Sequence, residues 1–347
     1  MTRRKSIQLH IGDVLVGGDS PITVQSMTKT DTRDVKATVR SIKELEEAGC
    51  EIIRLAVPDE QAAEALADIR KQISIPLVAD IHFDYRLALT AIKGGVNALR
   101  LNPGNIGGRE RTEAVVKAAK ERGIPIRIGV NAGSLPKDLD ESMPLPDRMV
   151  EAAMRHVRIL EDLDFGLIKV SLKASDVPTT VRAYEKIAKL IPYPLHLGIT
   201  EAGTSYCGII RSSVGLGILL DEGIGDTIRV SLTADPVEEV RAGLEILRSL
   251  GLRDNGPKLI SCPTCGRTQA NVFKLAHDME EALKDIKKPI KVAVMGCAVN
   301  GPGEARDADV GVACGKGNGL IFKKGETLGT VPEDEIIPRI LKEIEDL

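Results

Sequence analysis

Between residues 22 and 250 the chain alternates short β-branched apolar runs with longer stretches in which apolar positions recur at helical spacing, each run about 25 to 30 residues after the last. The strand-like runs are ITVQSM (22–27), EIIRLAV (51–57), PLVADIH (76–82), ALRLN (98–102), PIRIGVN (125–131), LIKVSLKAS (167–175), PLHLGIT (194–200) and TIRVSLT (227–233). A helical pattern follows each, from VKATVRSIKELEEAG after the first to PVEEVRAGLEILRSLG, closed by a glycine, after the last. Eight such units in about 230 residues are what a (β/α)8 barrel needs, with a doubly wound open sheet as the second possibility. Residues 251–257, GLRDNGP, read as a linker. Beyond it the texture changes to cysteine pairs, glycine-rich turns (GPGE, GKGNG), two strand-like runs (KLIS, KVAVMG) and a terminal helix from about 333. The expected architecture is α/β: a TIM barrel over 1–253 and a small α/β domain over 258–347.

Successive strand residues point to opposite faces, so each run divides in two. In the sixth, Ile168, Val170 and Leu172 oppose Lys169, Ser171 and Lys173. The fifth sets Ile126, Ile128 and Val130 against Arg127, Gly129 and Asn131, and the eighth sets Ile228, Val230 and Leu232 against Arg229, Ser231 and Thr233. The seventh opposes Leu195, Leu197 and Ile199 to His196, Gly198 and Thr200; the fourth opposes Leu99 and Leu101 to Arg100 and Asn102. Arg54, Asp80 and His82 fit the same division. If the apolar face packs on the outer helices, the polar face lines the barrel, where a purely structural barrel holds Val, Ile and Leu. One such cation alone reads as a solvated residue or an internal ion pair; the same division on five strands does not. Burying Arg54, Arg100, Arg127, Lys169, Lys173 and Arg229 together requires anionic partners that Asp80 and Glu201 cannot supply alone. A phosphate or diphosphate at the barrel's C-terminal mouth is the simplest missing charge. The loops NPGNIGG, NAGSL and TEAGTSYCG lie at that mouth and can offer backbone amides, although ordinary turn chemistry explains NPGNIGG equally well. Glu201 and His196 are the available acid/base groups, with a satisfied interior imidazole as the plainer reading of His196.

Composition narrows the ligand. The 347 residues carry 47 Lys plus Arg against 50 Asp plus Glu, a net charge of −3, with four Phe, four Tyr and no Trp. Neither a global basic footprint nor a stacking platform for nucleic acid is present. No uncharged apolar run approaches the ~18 residues of a membrane span and the first residues lack a signal-type apolar region, so no membrane partner and a cytoplasmic location are expected. Of six cysteines, four follow residue 260, which points to metal binding rather than a disulfide scaffold. Cys262 and Cys265 form a C-x-x-C, with Cys297 in GCAVNGPGEA and Cys314 in VACGKG. Zinc knuckles usually end in a second close pair, whereas iron–sulfur clusters accept a C-x-x-C with distant single ligands in Gly/Pro turns, so spacing leans toward the cluster. Cys50 reads as a core residue, and Cys207, at a helix start, carries no assignment.

Taken together, ITVQSMT, RLAVP, ADIHF, LRLNPGNIG, RIGVNAGSL, SLKASD, PLHLGITEAG, GIGDTIRVSLTADP, CPTCGRT and GCAVNGPGEA resemble the bacterial 4-hydroxy-3-methylbut-2-enyl diphosphate synthases of the methylerythritol phosphate route, over nearly the whole chain. The resemblance implies one 4Fe-4S cluster per chain held by Cys262, Cys265 and Cys297, with Glu304 as fourth ligand in preference to Cys314. It implies that Arg54, Arg100, Arg127, Lys173 and Asn131, joined by Ser171 and Arg229 on the same faces, bind a cyclic diphosphate. Glu201 and His196 would lie near the reacting carbons and Asn300 beside the cluster, with electrons from reduced flavodoxin or ferredoxin. The chain lacks the insert of the plant-type enzymes and resembles the two-domain form.

Domain order adds a geometric expectation. A last barrel helix of about 16 residues returns the chain ~24 Å to the end opposite the mouth. The cluster domain then either folds back or caps the mouth of a second subunit, and a head-to-tail homodimer is expected. The residues alone also allow a pterin-type, phosphate-handling barrel transferase with a structural zinc ribbon, or a non-catalytic iron–sulfur electron carrier.

Overall fold

The computed structural model describes residues 2–254, 256–284, 286–297 and 305–347. The chain divides into two compact units, Met1–Arg253 and Asp254–Leu347.

In the first unit, β1 (Leu9–Ile11) and β2 (Val14–Val16) form an antiparallel hairpin. Eight βα units follow: β3 (Thr23–Met27), α1 (Val35–Glu47), β4 (Ile52–Ala56), α2 (Glu60–Arg70), β5 (Leu77–Asp80), α3 (Tyr85–Lys93), β6 (Ala98–Arg100), α4 (Arg109–Arg122), β7 (Ile126–Asn131), α5 (Leu145–Glu161), β8 (Ile168–Lys173), α6 (Val177–Leu190), β9 (His196–Leu197), α7 (Ser205–Asp221), β10 (Thr227–Ile228) and α8 (Pro236–Ser249). The strands are parallel in the order β8-β7-β6-β5-β4-β3-β10-β9. Their two ends meet through one bridge, Val170 to Leu195, so the sheet is a nearly closed barrel rather than an open doubly wound sheet. The Tyr184 hydroxyl on α6 reinforces this seam: it accepts from the Leu172 amide (3.1 Å) and donates to the His196 carbonyl.

Local chemistry sets the elements. Asp34, Asp59, Asp84, Asp176 and Asp235 are N-caps whose carboxylates accept first-turn amides of α1, α2, α3, α6 and α8. Each of these helices is thereby started just beyond the C-terminal end of its strand, at the mouth. Outward residues such as Ile53, Leu99, Ile128, Val170 and Leu197 join the helices' inner faces in one large core. The seventh and eighth extended runs are shorter as regular ladder than their sequence suggests, two residues each.

At the opposite end the hairpin forms a floor. Ile11 and Val16 pack on the inward side chains of Ile52, Val78 and Ala98. Arg3 pairs with Asp226 (3.0 Å), and Arg4 donates to the Ile191 carbonyl (3.0 Å), fastening the N-terminal segment across the base of β9 and β10.

In the second unit, β11 (Lys258–Ser261), β12 (Lys291–Met295) and β13 (Val310–Cys314) run parallel. β14 (Asn318–Lys323) and β15 (Glu326–Pro332) complete the five-stranded sheet antiparallel. α9 (Val272–Leu283) and α10 (Ile336–Glu345) place Leu275, Met279, Ile336 and Ile340 against Val292, Val294 and Val312. The sequence reading identified two of these strands. The glycine-rich run 315–319, read as a turn, includes the start of β14, where Gly319 leaves room for Ile336.

Candidate functional site

Strand registers around the barrel give the stagger of a TIM barrel, so inward side chains fall in layers of four from alternate strands. From the floor upward, Ile52, Ala98, Lys169 and Thr227 form one layer, and Gln25, Val78, Arg127 and His196 the next. Arg54, Arg100, Ser171 and Arg229 follow, then Met27, Asp80, Gly129 and Gly198. Lys173 and Asn102 stand above, at the mouth. Six cations therefore occupy one interior, and Arg100, Arg127, Lys169 and Lys173 are buried to 7% exposure or less.

Two acids answer them. Asp80 lies 3.6 Å from Arg54 Nε, 3.3 Å from Arg100 Nη1 and 3.5 Å from His82 Nε2. Burial alone would raise its carboxyl, but Arg54, the His82 contact and Arg100 outweigh this and hold it well below the usual carboxylate range. The second acid is Glu239, not the Glu201 expected from sequence. It reaches in from the first turn of α8, 3.4 Å from Arg229 Nη2, and accepts from the Leu232 amide at 3.0 Å. Glu201 is exposed at the rim, with a left-handed backbone (φ 52°) unusual for a residue other than glycine.

The cations crowd one another. Burial first, then Arg54 and Arg100, pulls Arg127 well below its ordinary value. Burial and then Arg127, Arg229 and Arg54 do the same to Lys173. Lys173 Nζ lies 3.3 Å from His196 Nε2, and His196 Nδ1 lies 2.8 Å from Thr227 Oγ1. His196 is fully buried, and burial, Lys173 and Arg127 hold it well below its ordinary range, so the imidazole is neutral and orients Lys173 from below. The Ser171 hydroxyl donates to the Ile128 carbonyl at 3.3 Å. Asn131 ends β7, half-buried at the rim.

Two glycines make the packing possible. A Cβ on Gly129 would meet Arg100 Nε at 2.7 Å, and one on Gly198 would meet Lys173 Nζ at 2.6 Å and the Arg229 carbonyl at 2.5 Å. The carbonyl cannot step aside as a side chain can. Gly198→Ala is therefore expected to displace Lys173, costing about 1–3 kcal/mol of stability and at least ~10-fold in substrate affinity, measured by thermal unfolding and calorimetric titration.

Beside the mouth, a cleft of about 370 Å³ is lined in part by Phe83, Asn102, Ser134, Lys137 and His156. Its backbone is committed locally: the Gly104 amide of NPGNIGG donates to His156 Nδ1 (3.2 Å), an acceptor because burial and then Arg100 and Arg155 bring that imidazole down to about 4. That commits one amide of this loop to a side chain of α5.

In the second unit, Cys262 directly follows β11 and Cys297 follows β12 by two residues, and these strands are adjacent and parallel, with Ser261 opposite Val294. Cys265 is exposed on the turn between, held by its amide to Thr268 Oγ1 (3.1 Å), with Thr264 left-handed at φ 68°. Cys262 and Cys297 thus follow the same ends of adjacent strands, with Cys265 three residues beyond Cys262. Among the described residues no three metal-binding side chains form a single-ion site, and Asn300 and Glu304 lie outside the described residues. Cys314 is buried in β13, its thiol pushed up to about 11 by burial, then Glu333 and Cys262. Cys50 is a core residue, its thiol pushed up to about 12 chiefly by burial.

The chain matches the GcpE TIM-barrel domain over residues 6–244 and the GcpE protein C-terminal domain over 258–346. A protein of Dehalococcoides mccartyi strain BAV1 named 4-hydroxy-3-methylbut-2-en-1-yl diphosphate synthase (flavodoxin) is 65% identical over 100% of both chains. One of Clostridium tetani with the same name is 58% identical, again over 100% of both. Among solved structures, the dihydropteroate synthase of Yersinia pestis aligns with a TM-score of 0.53 at 12% identity, over 71% of this chain and 98% of its own. At that identity the likeness speaks to the barrel fold alone.

Proposed function

The chain belongs to the GcpE family, and from that premise we propose that it opens 2-C-methyl-D-erythritol 2,4-cyclodiphosphate reductively to 4-hydroxy-3-methylbut-2-enyl diphosphate, in the cytoplasm. Two electrons and one proton enter, the ring C–O bond to phosphate breaks, and a hydroxyl leaves as water. The observation that carries this reading is the surplus of buried cations under the mouth, beyond what Asp80 and Glu239 neutralise. A cyclic diphosphate supplies the missing charge, and the relatives' shared name weighs for this product over a pterin-type transferase or an electron carrier.

Arg54, Arg100, Arg127 and Lys173 bind the diphosphate, with Arg229 held ready by Glu239 and Asn131 at the rim. Ser171, its hydroxyl already donated to Ile128, completes the lining of the substrate cavity rather than offering a proton. His196 orients Lys173. Glu201, exposed above them on a strained backbone, delivers the proton from its carboxyl to the departing hydroxyl. Cys262, Cys265 and Cys297, with Glu304, would hold one 4Fe-4S cluster; a C-x-x-C just past one strand and a single thiol just past its parallel neighbour are the donor chemistry such a group takes. When bound, the cluster supplies single electrons received from reduced flavodoxin, the donor in the relatives' names, or ferredoxin. Asn300 is assigned beside it.

A head-to-tail homodimer belongs to the same reading. Arg253, beyond α8, donates to the Ile22 carbonyl (2.9 Å) and pairs with Glu51 (2.9 Å), at the floor end of β3 and β4. The chain thus leaves the barrel opposite its mouth, which suits service to a neighbour's mouth.

The test is anaerobic turnover of the cyclic diphosphate by iron- and sulfide-loaded protein with a chemical reductant. Product is expected; loaded protein that yields none overturns the activity. Mixing Cys265→Ser with Lys173→Met is expected to restore part of the rate, and absence of rescue would sink the dimer alone.

A further inference from the structure

Below the cations that face the mouth lies a second group of buried polar atoms, which shares only Arg127 with the diphosphate-binding set. Thr23 Oγ1, Lys169 Nζ, Gln25 Oε1 and Nε2, and Arg127 Nε and Nη1 have no hydrogen-bond partner among the described residues. All four side chains are 3% exposed or less. They occupy three consecutive layers, Thr23 lowest, Lys169 next, Gln25 and Arg127 above, and Arg127 and Lys169 are direct register partners on β7 and β8. The hairpin seals the barrel beneath them, with Ile11 and Val16 packed on Ile52, Val78 and Ala98.

An unmet buried polar atom costs about 1–3 kcal/mol, and more if charged, so this group calls for an occupant. Its chemistry is one-sided. Lys169 offers three hydrogens, Arg127 its Nε–H and Nη1 hydrogens and Gln25 its amide, whereas only Gln25 Oε1 and the Thr23 hydroxyl accept. Water brings as many donors as acceptors and leaves the surplus standing; an anion brings acceptors only. Nearby acids are committed elsewhere: Asp226 to Arg3, Ser6 and the Leu195 amide, and Asp80 to Arg54 and Arg100. Ile52, Val78 and Ala98 share the same layers and keep the surroundings apolar, which favours a weakly hydrated monovalent ion over a second phosphate.

We propose that Lys169 and Arg127, with Gln25, hold a single monovalent anion of halide size, chloride in the cell, beneath the substrate site. The site lies one layer below the diphosphate cavity and shares Arg127 with it, while Lys169 and Gln25 belong to it alone, so it stands whether or not the proposed activity does. It also settles the charge of Lys169. Burial, Arg127 and Arg54 bring that ammonium down to about 7 against the pull of Asp226, and an anion in contact keeps it protonated at neutral pH.

The test is diffraction from the full chain purified and crystallised with bromide as its only halide. An anomalous peak in hydrogen-bond contact with Lys169 Nζ and Arg127 is expected; no peak there, or peaks at surface lysines only, overturns the proposal. In solution, replacing 100 mM chloride by gluconate is expected to lower the wild-type Tm by about 2–4 °C and to leave Lys169→Met unmoved. Equal responses of the two proteins would also overturn it, and the diffraction measurement needs no variant to fold.

Discussion

On the proposed activity, Lys173→Met is expected to lower kcat/KM for the cyclic diphosphate by about 10²–10³-fold while leaving Tm unchanged or slightly higher. The substitution keeps the aliphatic stem over Gly198 and removes the charge above His196. Truncating one partner of a buried charge pair costs about 2–5 kcal/mol when the other partner is present, which sets the kinetic loss. In the free protein that partner is absent. Lys173 is then a cation lowered by burial and by three neighbouring arginines, so removing it relieves repulsion rather than breaking a bond. Rate and stability are therefore expected to move independently. Steady-state kinetics with a chemical reductant and thermal unfolding of the same preparations check this, and a kcat/KM within about 3-fold of wild type would remove Lys173 from the binding set.

Asp80→Asn has the reverse signature. It leaves Arg54 and Arg100 buried beside a neutral amide, and breaking a buried pair in this way costs about 3–5 kcal/mol, or roughly 10 °C in Tm for a barrel of this size. The pH dependence follows from the direction of the Asp80 shift. Because the folded-state value is depressed, the stabilisation is fully present above the unfolded carboxylate value of ~3.9 and is lost as pH falls through the folded one. The gap between wild type and variant is thus constant from about pH 5 to 8 and narrows only in stronger acid. Inorganic pyrophosphate, by neutralising the same arginines, recovers part of the lost Tm. A gap that closes at neutral pH would show that Asp80 is not the counter-ion.

What was legible in sequence was legible because two periodicities coincided. In β8 every residue is buried, yet Lys169, Ser171 and Lys173 alternate with Ile168, Val170 and Leu172, and alternation without a solvent face can only mean a polar interior. Glu239 was not legible, because an acid in the first turn of a helix has an adequate reason to be there in the helix dipole alone. Tyr184 sits at a core position of α6, and only tertiary structure reveals that its hydroxyl spans the seam. Gly129 and Gly198 were visible on the polar faces, but nothing local says that their missing Cβ atoms make room for Arg100 and Lys173. In the second unit, β14 and β15 were hidden by glycines and by the largely exposed side chains of β15.

The segment that fastens Arg3 and Arg4 across the base of the barrel bears on how the chain is assembled. These residues precede every strand of the barrel, but their partners Ile191 and Asp226 lie in its last two units. Contacts so distant along the chain carry the full entropy of closing a very long loop and form late. Until the final βα unit has been synthesised, the polar lining lies open to water on a curved ribbon, and its arginines and lysines meet no burial cost. Closing the base removes them from water, so the contacts that join the chain's beginning to its last barrel units also concentrate the charge that a ligand must answer.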